Sequence, residues 1–334
     1  MSRGRQLLVV LATVLVLCSA LSHALIWLLG IRTDVIDRAS ILPEAAGPPV
    51  VVTGSSLTFF GVSWQQAAKA MQRPILTRGV GGASPCELES LLREVPQARA
   101  LIIGVSIFDL NENNLSDARA PLVPFAQTLH DLRASRTDWT ATKRILWSYP
   151  LPWVQRVFPV AGQSNAVMVG AREKVRALLK HQPEPEPEER LSFKTDEDAV
   201  RPEKLSDWDA GRVARNLSQL TSAGLERGGF DGPKSLALAR ILARAAHQEP
   251  TVVLVLPVSP PYLGKFGDAA SVAAFEQALA RLKAADPNVR IIRLDREPVL
   301  QPAEVFWDLV HLNDDGRRIA TGLVMDHLSA PPAR

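Results

Sequence analysis

Short apolar runs that alternate with helix-like segments are the feature that most restricts the fold of this chain. Such alternation predicts an α/β protein whose parallel sheet is covered by helices on both faces. The uninterrupted apolar runs LIIGV and VVLVL fit strands buried on both sides. The predicted strands are Val50–Thr53, Ile75–Thr77, Ala100–Val105, Thr251–Pro257 and Val289–Leu294, and the predicted helices are Val62–Met71, Cys86–Val95 and Ser271–Ala285.

The N-terminus carries a long run without charged residues, Leu7 to Gly30, preceded by Arg3 and Arg5. As a helix, this run is long enough to cross a hydrocarbon core of roughly 30 Å. The positive-inside rule keeps the two arginines in the cytoplasm and exports the rest. Residues 1–32 are therefore predicted to be a single-pass N-terminal transmembrane helix in the cell inner membrane, with a periplasmic or extracytoplasmic domain.

Two other interpretations of this segment fit its sequence less well. A cleaved signal peptide would use Ser22-His23-Ala24, but the apolar run continues beyond that site to Leu29. A lipoprotein signal at Cys18 fits the sequence even less well, because the bulky Leu17 lies where such signals have a small residue.

The exported part is predicted to have a linker at 33–49 and a catalytic domain at 50–330. The strand–helix alternation fails at about 150–236, which we interpret as a helical insertion. The insertion contains the Pro/Glu-rich stretch 181–190 between two helix-like pieces, Gln163–Lys180 and Trp208–Leu225. A lid above the carboxyl ends of the strands and a solvated linker with two surface helices are both compatible with this pattern.

Charge and cysteine content exclude several classes of function. The net charge is +3, with 38 basic and 35 acidic residues, and no basic block is interleaved with aromatic residues. Nucleic-acid binding therefore has no support. The two cysteines, Cys18 and Cys86, are too few for a disulfide framework or a structural zinc site. No cofactor or metal is expected.

Residues suited to nucleophilic catalysis occur at both ends of the predicted domain. Ser56 follows the first predicted strand, where open α/β sheets form their ligand crevice. Asp308 and His311 precede the last predicted helix, for which Asn313 is a good N-cap. An Asp three residues before a His can fix its tautomer while the other ring nitrogen faces a serine. A helix cap is the alternative role for Ser56.

A glycine-rich turn follows the second predicted strand in TRGVGGASP. A glycine N–H can approach a developing oxyanion closely, because no side chain intervenes. Gly82 is the candidate for this role, and a plain tight turn is the alternative. Nucleophile, oxyanion donor, orienting acid and base then all occur in one chain.

These motifs resemble the SGNH, or GDSL-like, hydrolases and acyltransferases. Gly54-Ser55-Ser56-Leu57 is similar to their Gly-Asp-Ser-Leu block, and HLNDDGRRIA to their last block. The resemblance covers roughly Val50–Leu110 and Thr251–Leu328. It implies a flavodoxin-like three-layer α/β/α sandwich with a five-stranded parallel sheet. It also implies that Ser56, Asp308 and His311 are catalytic, with backbone oxyanion donors at Ser56 and Gly82.

The third block departs from the family pattern. A Gly-x-Asn-Asp motif is expected after the third strand, and the chain has GVSIFDLNENN instead. Ser106 or Asn111 is a candidate for the missing oxyanion donor, and the Ser56 and Gly82 N–H groups acting alone are the alternative. Losing one donor typically slows such reactions by about a hundred- to a thousandfold.

Ser55 stands where the family usually has Asp. In this respect the chain resembles the membrane-anchored O-acyltransferases of the family, which are similar to the enzymes of alginate acetylation or of D-alanyl transfer to teichoic acid. The resemblance implies an extracytoplasmic O-acyltransferase that modifies a cell-surface polysaccharide or envelope polymer through an acyl-serine. The implied partners are that glycan and a membrane-bound O-acyltransferase that supplies the acyl group. The alternatives are an extracytoplasmic carbohydrate or lipid esterase and a non-catalytic scaffold that binds a glycan or a partner.

Overall fold

The computed structural model describes residues 3–29, 37–41, 48–79, 82–93, 100–114, 123–135, 137, 139–150, 154, 157–158, 171, 175, 201–222, 224–227, 229–245 and 251–329. The chain divides into two compact units. One unit comprises Met1–Val35 and Leu146–Leu191, and the other comprises Ile36–Ile145 and Ser192–Arg334.

The second unit is built on a mostly parallel sheet. Its strand order is β1-β3-β2-β4-β5-β6, and β2 to β6 are all parallel. Counted from β2, the five parallel strands run 2-1-3-4-5, which is the flavodoxin-like order. The strands are β1 (Asp37–Ile41), β2 (Val50–Gly54), β3 (Ile75–Gly79), β4 (Ala100–Val105), β5 (Val252–Val255) and β6 (Arg290–Arg293).

The edge strand β1 was not predicted. It pairs antiparallel with β3, from Asp37 opposite Gly79 to Ile41 opposite Ile75. These residues fall inside the predicted linker 33–49, so the linker interpretation is wrong for 37–41. The segment DRASI lacks the continuous apolar pattern of a buried strand, which is why periodicity missed it.

Helices cover both faces of the sheet. Consecutive strand residues point to opposite faces, and both Val51 and Val52 are fully buried. Taking both units together, the described residues form the helices α1 (Arg3–Leu29), which belongs to the first unit, α2 (Ser56–Gly61), α3 (Trp64–Met71), α4 (Pro85–Leu92), α5 (Ile107–Leu110), α6 (Phe125–Ala134), α7 (Trp139–Trp147), α8 (Ala210–Ser222), α9 (Pro233–Ala245), α10 (Pro260–Phe266), α11 (Ala269–Ala285) and α12 (Asp314–Ser329).

The helices around the sheet pack in two groups. One group has α9 in contact with α4, α6 and α11, and the other has α12 in contact with α2 and α3. Short 3₁₀ turns complete the structure at Leu205–Asp207, Leu225–Arg227, Leu294–Arg296, Pro298–Leu300 and Ala303–Val305. The α/β class and the five parallel strands are thus as predicted.

The predicted insertion is divided between the two units, because the boundary lies between Leu191 and Ser192. Its later helix-like piece contains α8, which runs from Ala210 to Ser222. The earlier piece, Gln163–Lys180, lies largely outside the described residues, as does the Pro/Glu-rich stretch.

The first unit contains α1, and in it the Ser19 hydroxyl donates a 2.6 Å hydrogen bond to the Val157 carbonyl. Among the residues that the structure describes, no helix is both long and apolar enough to cross a membrane. The transmembrane anchor at 1–32 stays a prediction.

Candidate active site

Ser56 lies where β2 ends, at the carboxyl edge of the parallel strands. It is the first residue of α2 and is partly exposed. The helix cap is its neighbour Ser55, whose hydroxyl accepts the Leu57 N–H at 3.2 Å. Ser55, and not Ser56, is therefore the helix cap, and the Ser56 hydroxyl is available for another partner.

Two glycines bring α2 close to the sheet. A Cβ on Gly54 would lie 1.9 Å from the Thr58 hydroxyl oxygen, and a Cβ on Gly104 would lie 2.1 Å from it. Real Cβ atoms do not approach so closely, so Thr58 occupies the space that both glycines leave. This packing holds the first turn of α2, and with it Ser56, directly on β2 and β4.

The Ser56 hydroxyl oxygen lies 2.9 Å from His311 Nε2. On the other side of the ring, His311 Nδ1 lies 2.8 Å from Asp308 Oδ2. The His311 and Asp308 side chains are 16% and 22% exposed, so the chain of contacts opens to solvent at one side. These three residues are the ones that the sequence motifs predict to act together, and the structure brings them into one hydrogen-bonded series.

Backbone contacts hold Asp308 in this geometry. Asp308 Oδ1 accepts the N–H groups of Val310 and His311, each at 2.8 Å. Burial would raise the pKa of Asp308, but the hydrogen bond and charge of His311 and these two N–H groups outweigh it. The net result is a lowered pKa, which keeps the carboxyl ionised beside the imidazole.

The loop that carries Asp308 and His311 is pinned at both ends. Phe306 and Leu312 form an isolated antiparallel bridge, and the Ser259 hydroxyl donates to the Leu309 carbonyl at 2.7 Å. Asn313 caps α12 by accepting the Gly316 N–H at 3.0 Å, while its amide donates to the Glu304 carbonyl at 2.7 Å. The predicted N-cap is confirmed, and it also fixes the approach of the loop.

An aromatic and cationic cluster that the sequence motifs do not predict surrounds His311. The His311 ring stacks on Trp307, and Phe60 meets it edge-on, both with centroids 5.4 Å apart. The Arg201 guanidinium lies over Phe60 and Trp307, at 5.1 and 5.5 Å from the ring centroids. Phe60 and Trp307 lie close in the sequence to Ser56 and Asp308, and that closeness is a signal by which they could be found. Arg201 comes from the predicted insertion, and no local sequence pattern connects it with the site.

Gly82 lies in an exposed turn between β3 and α4. Its φ of +70° is the left-handed conformation that favours glycine. A Cβ at this position would meet nothing within 4 Å, so the requirement for glycine comes from the backbone and not from crowding. The oxyanion role of Gly82 stays a prediction.

The candidate donors of the third block are engaged elsewhere. Ser106 is fully buried, and its hydroxyl donates to Asp109 Oδ2 at 2.8 Å. The Asn111 amide donates to the Leu225 carbonyl at 3.1 Å and accepts the Asn113 N–H at 3.0 Å. Both side chains contribute to the fold of this loop, and the oxyanion role of Asn111 stays a prediction, as does the alternative of backbone donors alone.

Within the described ranges, no group of three or more His, Cys, Asp or Glu residues is arranged to hold a metal ion. The geometry suits a hydroxyl nucleophile activated by a neighbouring imidazole, the arrangement found in serine acyl-transfer enzymes.

No protein-family model matches the chain, and no curated protein sequence matches it significantly.

Proposed function

We propose that this protein is an extracytoplasmic, serine-dependent O-acyltransferase that modifies a cell-surface polysaccharide or envelope polymer through an acyl-serine intermediate. The observation that carries the proposal is the series Ser56–His311–Asp308, with contacts of 2.9 and 2.8 Å. The resemblance of its sequence blocks to the SGNH family supports the same chemistry.

The proposed first step is acylation of Ser56. With Asp308 accepting the Nδ1–H, the Nε2 lone pair of His311 faces the hydroxyl and takes its proton. Ser56 Oγ then bonds to the acyl carbonyl carbon, and the leaving group departs with the proton returned by His311. In the second step an acceptor hydroxyl gives its proton to His311 and attacks the acyl-serine, which regenerates the Ser56 hydroxyl.

The oxyanion of each tetrahedral intermediate is proposed to rest on the backbone N–H groups of Ser56 and Gly82. We favour backbone donors because the Ser106 hydroxyl and the Asn111 amide already donate hydrogen bonds to Asp109 and to the Leu225 carbonyl. Aligned backbone dipoles in a partly dry site lower the free energy of the transition state without reorganisation.

Transfer to a glycan is favoured over hydrolysis by the predicted location. Acyl-CoA is absent outside the cytoplasmic membrane, so the acyl group would come from a membrane-bound O-acyltransferase that carries it across the bilayer. The predicted anchor would hold the domain beside that partner. An extracytoplasmic esterase remains the alternative, because the partly exposed Ser56–His311 pair is open to water.

The test is turnover of an activated acyl ester, with and without a glycan acceptor. The wild-type protein is expected to release the alcohol and, with a suitable acceptor, to acylate it. Ser56→Ala and His311→Ala should lose both reactions, while the controls Ser206→Ala, at an exposed position, and His327→Ala, at a half-buried position of α12, keep them. Hydrolysis that no acceptor diverts would favour the esterase. No turnover by the wild type under any condition would favour the scaffold.

A further inference from the structure

Residues 201–208 of the predicted insertion run as a strap along the loop that carries the candidate base. The Leu205 N–H donates to the Phe306 carbonyl at 2.7 Å, and the Asn313 amide donates to the Glu203 carbonyl at 3.3 Å. The Leu205 side chain is buried in the hydrophobic core. The proposed chemistry makes no use of this strap, although hydrogen bonds attach it to the loop at both of these points.

The first residue of the strap, Arg201, is fixed through its main chain. Its N–H donates to Asp314 Oδ1 at 2.8 Å, and its carbonyl accepts the Asp314 N–H at 3.1 Å. Asp314 is the first residue of α12. Because the Arg201 main chain makes two hydrogen bonds to one residue, its side chain extends from a fixed point at the start of that helix.

The Arg201 guanidinium lies against the two aromatic rings that contact His311. Its central carbon is 5.1 Å from the Phe60 centroid and 5.5 Å from the Trp307 centroid. A cation within about 6 Å of a ring centroid is attracted by the negative face of the ring. The two rings also meet each other edge to face, with centroids 6.2 Å apart. One cation therefore holds a ring from α2 beside a ring from the loop before α12.

The same two rings enclose the His311 imidazole on two sides. Trp307 stacks on it with an interplanar angle of 27°, and Phe60 meets it at 84°. The Trp307 N–H also donates to the His311 carbonyl at 3.1 Å, so the main chains of these two residues are joined as well. A ring packed on the face of the imidazole opposes its rotation, and rotation would turn Nε2 away from Ser56.

We propose that Arg201 is a positioning residue for the general base. Its guanidinium holds Trp307 and Phe60 in place. The two rings in turn keep the His311 imidazole directed at Ser56, at the observed distance of 2.9 Å. This inference rests on the proposed function. It gives the strap a role, because the strap is what places the guanidinium over the two rings.

The kinetic test compares Arg201→Met with Arg201→Lys. Methionine keeps an unbranched side chain without the charge, whereas lysine keeps a cation. We expect Arg201→Met to lower kcat for an uncharged activated ester about tenfold, the size of effect that one partly desolvated cation–π contact produces. KM should stay within about twofold, because the ester does not use the charge. Arg201→Lys should lose no more than about threefold, since an ammonium group is also attracted by ring faces.

Three kinetic results would overturn the inference. One is a kcat for Arg201→Met within about twofold of wild type with a change confined to KM, which would assign Arg201 to substrate binding. Another is an equal kcat for Arg201→Met and Arg201→Lys, which would exclude a role for the charge. The third is turnover by the wild type that Arg201→Met leaves unaffected, which refutes this inference and not the proposed function.

A double variant tests whether Arg201 acts through Trp307. Trp307→Ala removes the stacked ring, and we expect it to lower kcat about tenfold or more, because the imidazole is then free to turn. Once that ring is absent, loss of the guanidinium should matter less. The kcat loss in Arg201→Met/Trp307→Ala should therefore be smaller than the product of the two single losses. Losses that multiply would overturn the inference.

The matched control is Arg212→Met, on α8 in the same part of the insertion. It removes a cation–π contact of the same kind, because the Arg212 guanidinium lies 3.8 Å from the centroid of Trp208, a different ring from the two around His311. It should lower stability by a similar amount while leaving kcat within about twofold. Equal kcat losses in Arg201→Met and Arg212→Met would show a general effect of the insertion and overturn the inference.

A crystal structure of Arg201→Met gives a readout that needs no turnover. We expect the Trp307 and His311 centroids to move apart from 5.4 Å to beyond ~7 Å, outside the range of paired rings. A separation that stays at 5.4 Å would overturn the inference, whether or not any ester is turned over. Displaced rings in Arg201→Met, together with a wild type that turns over no ester, would support the positioning and refute the proposed function alone.

Discussion

The Ser56 hydroxyl and His311 Nε2 lie 2.9 Å apart although 255 positions separate the two residues in the chain. The end of β2 and the pinned loop before α12 meet at one edge of the sheet, and this topology produces the contact. This contact is the arrangement that a nucleophilic serine and its general base require.

Asp308→Asn is expected to lower kcat by about 10³- to 10⁴-fold. The amide keeps the shape of the carboxyl but no longer selects the tautomer that presents the Nε2 lone pair to Ser56. The measurement is steady-state hydrolysis of an activated ester. Asp295→Asn, which loses an ion pair with Arg293 outside the site, should change kcat little. Comparable losses in the two variants would assign the effect to general destabilisation.

Gly82→Ala is expected to reduce both stability and rate. A left-handed non-glycine residue costs about 1 kcal/mol, and relaxation of φ from +70° would turn the N–H proposed for the oxyanion. Denaturant unfolding should show that loss, and kcat should fall about tenfold or more. Gly322→Ala, on the exposed face of α12, should instead raise stability by about 0.5–1 kcal/mol. An unchanged kcat in Gly82→Ala would leave Gly82 with the role of a plain turn.

The stability gap between Asp109→Asn and the wild type should depend on pH. A raised folded-state pKa means that the folded protein holds this proton more tightly than the unfolded chain. Wild-type stability is therefore lost as pH rises from the unfolded pKa of about 3.9 towards the folded value. The Asn variant lacks this titration, so its relative stability should improve with rising pH. Unfolding curves across that window test the sign, and a gap independent of pH would contradict it.

Local sequence patterns predict most of the sheet but not its antiparallel edge strand, β1. The runs at β2, β4 and β5 are apolar because both faces of these strands are buried, so their composition alone is informative. Strand β1 sits at the edge with antiparallel pairing to β3, and its sequence DRASI has no such pattern. The division of the insertion between two units also has no local signal.

The series Ser56–His311–Asp308 is predictable from the sequence because its residues lie near a strand end or a helix cap, whose positions local signals reveal. The residues around this series cannot be predicted from local patterns, because their positions depend on packing between distant parts of the chain. Arg201 reaches Trp307 and Phe60 from a distant segment of the chain. Asn111 was a chemically suitable donor whose actual partner, Leu225, lies 114 positions away.

Deleting residues 1–32 is expected to separate ester hydrolysis from polymer modification. The soluble domain should keep hydrolysis of small activated esters, because Ser56, Asp308 and His311 all lie in the second unit. It should lose polymer modification in cells, even when exported by an unrelated cleavable signal, because anchoring supplies a high effective concentration of donor and glycan. Full complementation by the soluble form would show that residues 1–32 act only as an export signal. It would also weaken the proposal that a membrane-bound O-acyltransferase is the partner.

The most direct test of the central claim is the site of covalent labelling by a fluorophosphonate, read by peptide mass spectrometry. Such probes react with a serine whose hydroxyl is activated by a neighbouring base. We predict one adduct per chain, on Ser56, with labelling lost in Ser56→Ala and His311→Ala and retained in Ser206→Ala. An adduct on another serine, or labelling at the wild-type rate in His311→Ala, would contradict the assignment of Ser56 and His311 as nucleophile and base.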